Sequence, residues 1–298
     1  MLLARKSGRG MEEIIDTHVH FWDHSVSGLS WTFLEPGFKH PRLGELWRLD
    51  SPRYAPPELR LEAAGLGVAR VVHIQAAKAA DPTVETEWLQ GLSDRDGWPN
   101  AIVASCDLAA PEVGEVVARQ ARFANFRGVR DLPAGERLGD KEVARGFAAL
   151  ARAGCSLEIM TSCDHYDQLA RLLGRHPELP IVLGHSGLPV RRDDDYFRMW
   201  SAGMQRLARE SSAVCKISAL GSGPDPEWSV ESIRRWFHGC IEAFGPERCM
   251  LGSNWPIDRM FGSYVRLLTA YEQLLGDLSP EEAAHVRYRT AERFYRLE

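Results

Sequence analysis

Short runs of apolar residues recur along the chain, and each is followed by a stretch typical of a helix. We predict eight strands, near residues 14–20, 70–76, 100–106, 126–131, 155–161, 180–185, 213–218 and 249–254. Alternation of strands and helices predicts a parallel sheet with right-handed crossovers. Eight such units in one chain favour a closed barrel over an open sheet. The predicted fold is therefore α/β, a single (β/α)8 TIM barrel.

The length and composition of the chain fit one such domain. The chain has 298 residues, of which 44% are hydrophobic and 26% are charged, and a barrel of this kind typically needs about 250 residues. Because no break in composition divides the chain, we predict one barrel domain over residues 13–298, preceded by a flexible lead over residues 1–12. The lead is basic but lacks an apolar segment and a small-residue cleavage site, so it does not resemble a signal peptide.

The net charge excludes some classes of partner, and the cysteine pattern indicates the redox compartment. The net charge is −5 and the basic residues are dispersed, which excludes the clustered basic surface of a nucleic-acid-binding protein. No apolar segment approaches the roughly 18 residues of a membrane span. The six cysteines lie far apart without a CxxC pair, a pattern typical of buried thiols in a reducing compartment. We expect a cytoplasmic protein that acts on a small molecule, and the sequence leaves open whether it forms a homo-oligomer.

Side-chain alternation along the strands indicates which residues point into the barrel. On the first strand, Asp16, His18 and His20 share one face. The same rule turns polar side chains of the other strands inward, namely His73, Gln75, Arg130, Glu158, Lys216, Ser218 and Asn254, with His185 at the end of its strand. Apolar neighbours are expected to face the helices, among them Val72, Ile74, Leu157 and Ile159. Polar groups are costly to bury unless they are hydrogen-bonded or bind something, so this convergence predicts a functional site at the barrel mouth.

The pair His18 and His20 is the strongest single chemical feature. Two imidazoles two residues apart on a strand can reach one cation from the same side, and neutral imidazole is a common metal ligand. Asp16 is expected to orient a histidine from behind. For His73 and Gln75, a hydrogen-bonded inner layer is favoured over metal ligation.

The segment IDTHVHFWD, residues 15–23, resembles the opening of the amidohydrolase superfamily, and in particular its branch of sugar-acid and pyrone-dicarboxylate lactonases. Further motifs of that family follow in the expected order: RGVR at 127–130, GHSGLP at 184–189, CKIS at 215–218 and GSNWP at 252–256. The resemblance extends over residues 13–297. Each motif is moderately specific, and their order and spacing make the match strong.

The resemblance implies roles for individual residues. His18 and His20 would bind a divalent metal such as zinc or, in metal-free members, the substrate, and His185 would add a ligand or polarise the scissile carbonyl. Arg130 is placed to bind a substrate carboxylate or an oxyanion, which suits a bidentate guanidinium. The implied activity is hydrolysis of a small carboxylated lactone or related cyclic ester, with or without a metal. The alternatives are a metal-dependent decarboxylase of the same superfamily and a non-catalytic binding protein.

One position departs from the family pattern. The eighth strand usually ends in an aspartate that deprotonates the attacking water, and Asn254 stands there instead. An amide can hold a water but cannot accept a proton at neutral pH, and general-base help is typically worth about 10²–10⁴ in rate. Glu158 is the first candidate to replace the missing base, followed by Asp258 and Asp16. Lys216 is expected either to neutralise Glu158 or to bind substrate.

The longest irregular stretch, residues 21–56, is rich in aromatic residues. Because it follows the first strand, we expect it to lie over the catalytic face, where the loops after barrel strands build the site. The first interpretation is that it lines the substrate pocket. The alternative is that its aromatic side chains form a plug over the barrel.

Overall fold

The computed structural model describes residues 13–49 and 51–297, so the flexible lead predicted for residues 1–12 lies outside the described residues. The strands, in chain order, are β1 (Ile14–Val19), β2 (Trp22–Asp23), β3 (Arg53–Tyr54), β4 (Val68–Ile74), β5 (Ala101–Ser105), β6 (Phe126–Arg130), β7 (Ser156–Ile159), β8 (Ile181–Leu183), β9 (Val214–Ile217) and β10 (Cys249–Leu251). Strands β1 and β4 to β10 form one parallel sheet in the order of the chain, and β2 pairs with β3 in a small antiparallel ribbon. All eight predicted strands are thereby confirmed.

The sheet closes on itself at the mouth. Val19 forms a parallel bridge with Trp255, and the amide of His20 donates to the carbonyl of Trp255 over 2.8 Å. The amide of Asn254 in turn donates to the carbonyl of His18 over 2.9 Å. These bonds tie the end of β1 to the residues after β10, so the barrel closes where the predicted site lies.

Helices cover the outside of the barrel. They are α1 (Pro56–Ala63), α2 (Thr83–Asp96), α3 (Val113–Gln120), α4 (Lys141–Ala153), α5 (Tyr166–Arg175), α6 (Asp194–Glu210), α7 (Val230–Phe244), α8 (Tyr264–Leu275), α9 (Pro280–Ala284) and α10 (Thr290–Tyr295). One helix separates each pair of successive barrel strands, which is the arrangement that the alternating pattern predicts. Ser279 and Glu282 form a capping box at the start of α9. None of the helices in the described part of the chain has both the length and the apolar composition that crossing a membrane requires.

The barrel interior is filled from below by the C-terminal helix. One buried cluster joins residues of six barrel strands to the last helix and the residues after it, namely Ile15, Val72, Ile74, Ala101, Val103, Val182, Val214, Met250, Ala291, Tyr295 and Leu297. Residues from strands on opposite sides can meet only inside the barrel. The amino-terminal ends of the strands hold this segment in place, since Arg127 donates to the carbonyl of Tyr295 over 2.6 Å. The cation of Lys216 lies 5.6 Å from the centroid of the Tyr295 ring.

Strict alternation gives the wrong face for β4. Val72 and Ile74 belong to the inner cluster, whereas His73 lies with Nε2 3.4 Å from Glu85 of α2 and accepts a hydrogen bond at Nδ1 from the amide of Phe21. His73 is therefore a buried structural residue outside the barrel, and the prediction that it points inward is wrong. The physical reason is that the lower barrel is filled by apolar side chains, so the apolar residues of β4 take the inner positions.

Candidate active site

A cavity of about 360 Å³ opens at the carboxyl ends of the barrel strands. Its floor is made by polar residues from the strand ends, namely His20, Gln75, Arg130, His185 and Asn254. Its roof comes from the aromatic loop, namely Thr32, Phe33, Phe38, His40, Arg42, Leu43 and Leu46. The loop therefore lines the cavity as expected. It also packs as a plug, because Trp22 and Trp31 are fully buried in the hydrophobic core.

Three imidazoles meet at the floor of this cavity. The ring centroid of His18 lies 4.5 Å from that of His185 and 5.0 Å from that of His20. His18 is completely buried, and His20 and His185 are 5% and 8% exposed, so only the latter two reach the cavity. Gly252 permits this packing, since a Cβ added there would lie 2.7 Å from Cβ of His18. Sequence reasoning thus placed all three residues at one site.

Burial keeps these rings neutral. Loss of solvent lowers the pKa of His18, His20 and His185 well below the usual value, and neighbouring positive groups, Arg130 among them, lower it further. Nδ1 of His20 lies 2.8 Å from the carbonyl oxygen of Ile74. Because a carbonyl oxygen only accepts, Nδ1 carries the proton and Nε2 presents a lone pair. Nδ1 of His185 shares a hydrogen bond of 2.9 Å with Oγ of Ser218.

The donor types at this site fit a divalent cation. Within residues 13–49 and 51–297, no three His, Cys, Asp or Glu side chains are arranged around a common point as metal ligands. Both ring nitrogens of His18 are nevertheless buried without a hydrogen-bond partner, and an unsatisfied buried polar atom is costly. A neutral imidazole offers a lone pair at one of its two nitrogens, and this nitrogen of His18, like that of His20, is the ligand type that Zn²⁺ and similar ions prefer.

Arg130 supplies a fixed positive charge beside the imidazoles. It ends β6, donates from Nη2 to the carbonyl oxygen of Gln75, and lies 3.3 Å from Oε1 of the same residue. Its Nε has no hydrogen-bond partner. Burial lowers the pKa of Arg130 to about 10, so the guanidinium remains charged at neutral pH and can receive an anionic oxygen.

Glu158 lies below the cavity floor rather than on it. Its Oε2 forms an ion pair of 2.6 Å with Nζ of Lys216, and both residues are almost completely buried. Its Oε1 lies 3.3 Å from Nδ1 of His18, outside hydrogen-bond geometry. Burial lowers the pKa of Lys216, and the carboxylate of Glu158 opposes that shift. Of the two roles left open for Lys216, the structure shows the ion pair.

Asp16 supports the site from outside the barrel. Its Oδ1 accepts from the amides of His18 and Ser253 over 3.1 and 2.8 Å, and its Oδ2 accepts from the hydroxyl of Tyr264 in α8 over 2.7 Å. An irregularity of register between Asp16 and Val19 turns the carboxylate away from the two histidines. The prediction that Asp16 shares their face is therefore wrong. Asp16 fixes the backbone of β1 and of the segment before Asn254, not an imidazole ring.

Asn254 faces the cavity and is held from behind by Asp258. Its Nδ2 donates to Oδ1 of Asp258 over 2.6 Å, so its Oδ1 is left to accept from a group in the cavity. Oδ2 of Asp258 has no hydrogen-bond partner. Burial raises the pKa of Asp258 to about 7, against the lowering effect of the neighbouring side chains of Asn254 and Ser222. Both of these neighbours line the cavity.

The backbone is strained at the ends of three consecutive strands. Residues that follow β8, β9 and β10 adopt the left-handed conformation, with φ of 50° at His185, 54° at Ala219 and 63° at Asn254. Non-glycine residues seldom adopt it, and such outliers cluster at functional sites. The strain supports the assignment of the functional site to the carboxyl ends of the barrel strands.

The structure adds cavity residues that sequence reasoning did not single out. Arg42, Lys78, Arg192 and Ser222 line the cavity. All four lie on loops that follow barrel strands, which was the available signal, because those loops build the site in this fold. Side-chain alternation could not identify them, since it applies only within strands.

Comparisons with known proteins agree with this architecture. A protein of Sinorhizobium fredii named y4mH is 32% identical over 95% of this chain and 98% of its own length. An L-fucono-1,5-lactonase of Burkholderia multivorans is 29% identical over 95% of this chain and 96% of its own length. A crystal structure of a Burkholderia multivorans amidohydrolase with bound zinc superimposes with a TM-score of 0.81 at 25% identity, covering 96% of this chain and all of that one.

The fold and the site define a (β/α)8 barrel whose polar residues gather at the carboxyl ends of its strands. The family described as Amidohydrolase matches residues 15–297. The chain therefore belongs to the amidohydrolase family, as its motifs predicted.

Proposed function

We propose that this chain hydrolyses a small lactone, or a related cyclic ester, that carries a carboxylate group. The observation that carries the proposal is the meeting of neutral imidazoles and the Arg130 cation on the floor of one cavity. The L-fucono-1,5-lactonase relative supports the reaction class, since the match extends over nearly all of both chains. In this reaction water adds to the lactone carbonyl, the ring C–O bond breaks, and the carboxylate of a hydroxy acid and a proton are released.

Arg130 stabilises negative charge in this proposal. Its unpartnered Nε and its charge at neutral pH suit it to the oxyanion that forms when water adds to the carbonyl, and then to the product carboxylate. Donors held in place before the reaction stabilise such charge without reorganisation. Gln75 holds the guanidinium by accepting from Nη2, so the cation is fixed before substrate arrives.

Asn254 and Asp258 handle the attacking water. Oδ1 of Asn254 accepts a hydrogen bond from the water and thereby directs its lone pair, because Nδ2 is already committed to Asp258. Asp258 would take the proton at its unpartnered Oδ2, and its pKa of about 7 suits this role, since a base works best with a pKa near the operating pH. The geometry favours Asp258 over Glu158, because Glu158 is bound to Lys216 beneath the floor.

His18, His20 and His185 would hold a divalent cation, for which zinc is the first candidate given the zinc-bound structural neighbour. When bound, such a cation polarises the carbonyl and lowers the pKa of water. The bond of His20 to the carbonyl of Ile74 leaves its Nε2 free to serve as a ligand. Ser218 holds the ring of His185 in place through the hydrogen bond at Nδ1.

A panel of five- and six-membered lactones, assayed by proton release with a pH indicator, tests the proposal. We expect saturable hydrolysis by the wild-type chain that is lost in His20→Ala. Retained or increased hydrolysis in Asn254→Asp would support the water-binding role of this position. Release of carbon dioxide from an aromatic acid would instead identify a decarboxylase. Tight binding of a lactone without proton release from any member of the panel would identify a binding protein.

A further inference from the structure

Above its polar floor, the cavity is lined mainly by apolar side chains. The loops that follow five of the barrel strands contribute to this apolar wall, whose members include Phe33, Phe38, Leu132, Met160, Leu188 and Ile257. The proposed hydrolysis uses the residues of the floor and gives the apolar wall no part in the reaction. Contiguous apolar surface of this kind marks the place where a ligand binds.

Two leucines of the apolar wall are held in unfavourable states. Leu132 is 47% exposed, so the fold itself covers only part of its side chain. Leu188 is half-buried and has a left-handed backbone with φ of 53°, which a leucine rarely adopts, and such strain is concentrated at functional sites. Leu132 closely follows Arg130 of the floor, and Leu188 closely follows His185. A ligand on the floor can therefore cover both leucines, which is favourable because it removes apolar surface from water.

The polar side chains among the apolar wall offer few partners to hydroxyl groups. Oγ of Ser222 and Nη2 of Arg192 donate to backbone carbonyl oxygens over 3.1 and 3.2 Å, and Nδ1 of His40 accepts from two backbone amides. Arg42 and Lys78 are exposed, so water solvates their charges. A hydroxyl group that leaves water without gaining a hydrogen bond weakens binding. A polyhydroxylated chain therefore fits this part of the cavity poorly.

We propose that the apolar wall binds a hydrocarbon substituent, alkyl or aryl, on the ring of the lactone. This inference rests on the proposed lactone hydrolysis and deepens it by naming the substrate class. The preferred substrates carry one carboxylate and one hydrocarbon group, and polyhydroxylated lactones of sugar acids are poor substrates. In the complex the ester carbonyl lies beside Arg130, and the hydrocarbon group contacts Leu132 and Leu188.

The decisive comparison uses lactones that share one ring and one carboxylate and differ in a single substituent, which grows from methyl to butyl. We expect wild-type kcat/KM to rise about fourfold with each methylene group that the apolar wall covers. A further lactone carries a four-carbon chain with hydroxyl groups, and its kcat/KM should be at least about tenfold lower than that of the butyl lactone. A wild-type kcat/KM that is independent of chain length, or that favours the hydroxylated chain, would overturn the proposal. This result needs no variant to fold.

Leu132→Gln and Leu61→Gln form a matched pair of variants. Both leucines are exposed, but Leu61 lies on helix α1 and does not line the cavity. Leu132→Gln should reduce the gain per methylene group to about twofold, whereas Leu61→Gln should retain the wild-type gain. Leu188→Asn should also reduce the gain, and asparagine adopts the left-handed conformation more readily than leucine. A wild-type gain in both cavity variants, or an equal loss of gain in Leu61→Gln, would overturn the assignment.

Calorimetric titration with the ring-opened hydroxy acids of the same series separates this inference from the proposed hydrolysis. If no lactone is hydrolysed but the affinity for these acids rises with chain length, and Leu132→Gln reduces the rise, the apolar subsite stands and lactone hydrolysis is wrong. If lactones are hydrolysed but neither kcat/KM nor affinity depends on chain length, hydrolysis stands and the apolar subsite is wrong. Absence of both hydrolysis and binding would overturn both.

Discussion

The side-chain amide of Asn254 donates a hydrogen bond of 2.6 Å to Oδ1 of Asp258, four residues further along the chain. A carboxylate thus stands directly behind the position where the family pattern expects one. The bond fixes which end of the amide faces the cavity, and the second oxygen of Asp258 remains without a partner. In the proposed mechanism, Asp258 supplies the base that the amide of Asn254 cannot supply.

Asp258→Asn tests whether Asp258 supplies the general base that Asn254 cannot supply. The amide introduced by this substitution can still accept from Asn254 but cannot take a proton, so we expect kcat/KM to fall by about 10²–10⁴, the usual contribution of a general base. Since the pKa of Asp258 is about 7, wild-type kcat/KM should rise with pH and level off above 7. The pH–rate profile of the variant should lack that rise. An unchanged profile would show that another group takes the proton.

The same substitution has a signature in stability that does not depend on activity. The pKa of Asp258 is raised from 3.8 to about 7 in the folded chain, so ionising it destabilises the fold. The penalty is absent below pH 3.8, grows as the pH rises towards 7 and is complete above 7. Asp258→Asn removes it, and its unfolding free energy relative to wild type should increase across this window, by on the order of a few kcal/mol. Urea titrations at pH 4 and pH 8 measure the difference.

His18→Ala and His20→Ala are expected to abolish turnover while the fold survives. Wild-type protein should carry a divalent cation, measured by mass spectrometry, and both variants should lose it, because each removes an imidazole from the cluster. His176→Ala is the control, since His176 lies away from the cavity beside Glu178. Near-native kcat in either cluster variant would contradict the site assignment.

Glu158→Gln is expected to act mainly on stability. It leaves Lys216 charged and unpaired in the barrel interior, and breaking a buried ion pair in this way typically costs about 3–5 kcal/mol. The double variant Glu158→Gln/Lys216→Met should recover much of the loss, because it removes both charges. Denaturant unfolding of the two single variants and the double variant gives the coupling energy. A stable Glu158→Gln protein with at least about tenfold lower kcat would instead return Glu158 to the role of base.

The two functions of the aromatic loop can be separated by a pair of substitutions. Phe38 lines the cavity and is partly exposed, so Phe38→Ala should raise KM severalfold and leave the melting temperature nearly unchanged. Trp31 is 1% exposed and packs 5.8 Å from the ring of Trp88. Trp31→Ala should therefore cost about 3–5 kcal/mol in unfolding free energy. A large loss of stability in Phe38→Ala would show that the whole loop is a plug.

The barrel was predictable because its signal is local and repeated. Each strand is a short apolar run, each connection carries a helix, and the order of strands in the sheet follows the order in the chain. Residues at the carboxyl ends of parallel strands must then meet at one rim. This geometry brings His20, Arg130, His185 and Asn254 together although they are far apart in sequence.

Sequence reasoning failed where the strand pairing is irregular and at residues that lie beyond the strand ends. A register irregularity in β1 turns Asp16 outward. In β4 the expected inner and outer faces are exchanged, because apolar side chains fill the lower part of the barrel. Asp258 is only the second candidate base from the sequence, because it lies in a short turn of helix after β10, Ile257–Phe261. No periodicity fixes the direction of such a turn. The choice of partner for Lys216 required a distance, which alternation cannot supply.

The left-handed residues after β8, β9 and β10 carry a consequence for the evolution of this protein. A non-glycine residue in that conformation costs roughly 1–2 kcal/mol, and His185 and Asn254 cannot be exchanged without loss of their side-chain chemistry. Ala219 has no such chemistry, yet it immediately follows Ser218, the hydrogen-bond partner of His185. A lineage selected for heat resistance would therefore gain by replacing Ala219 with glycine first, and would surrender some of the rigidity that keeps the His185 ring in place.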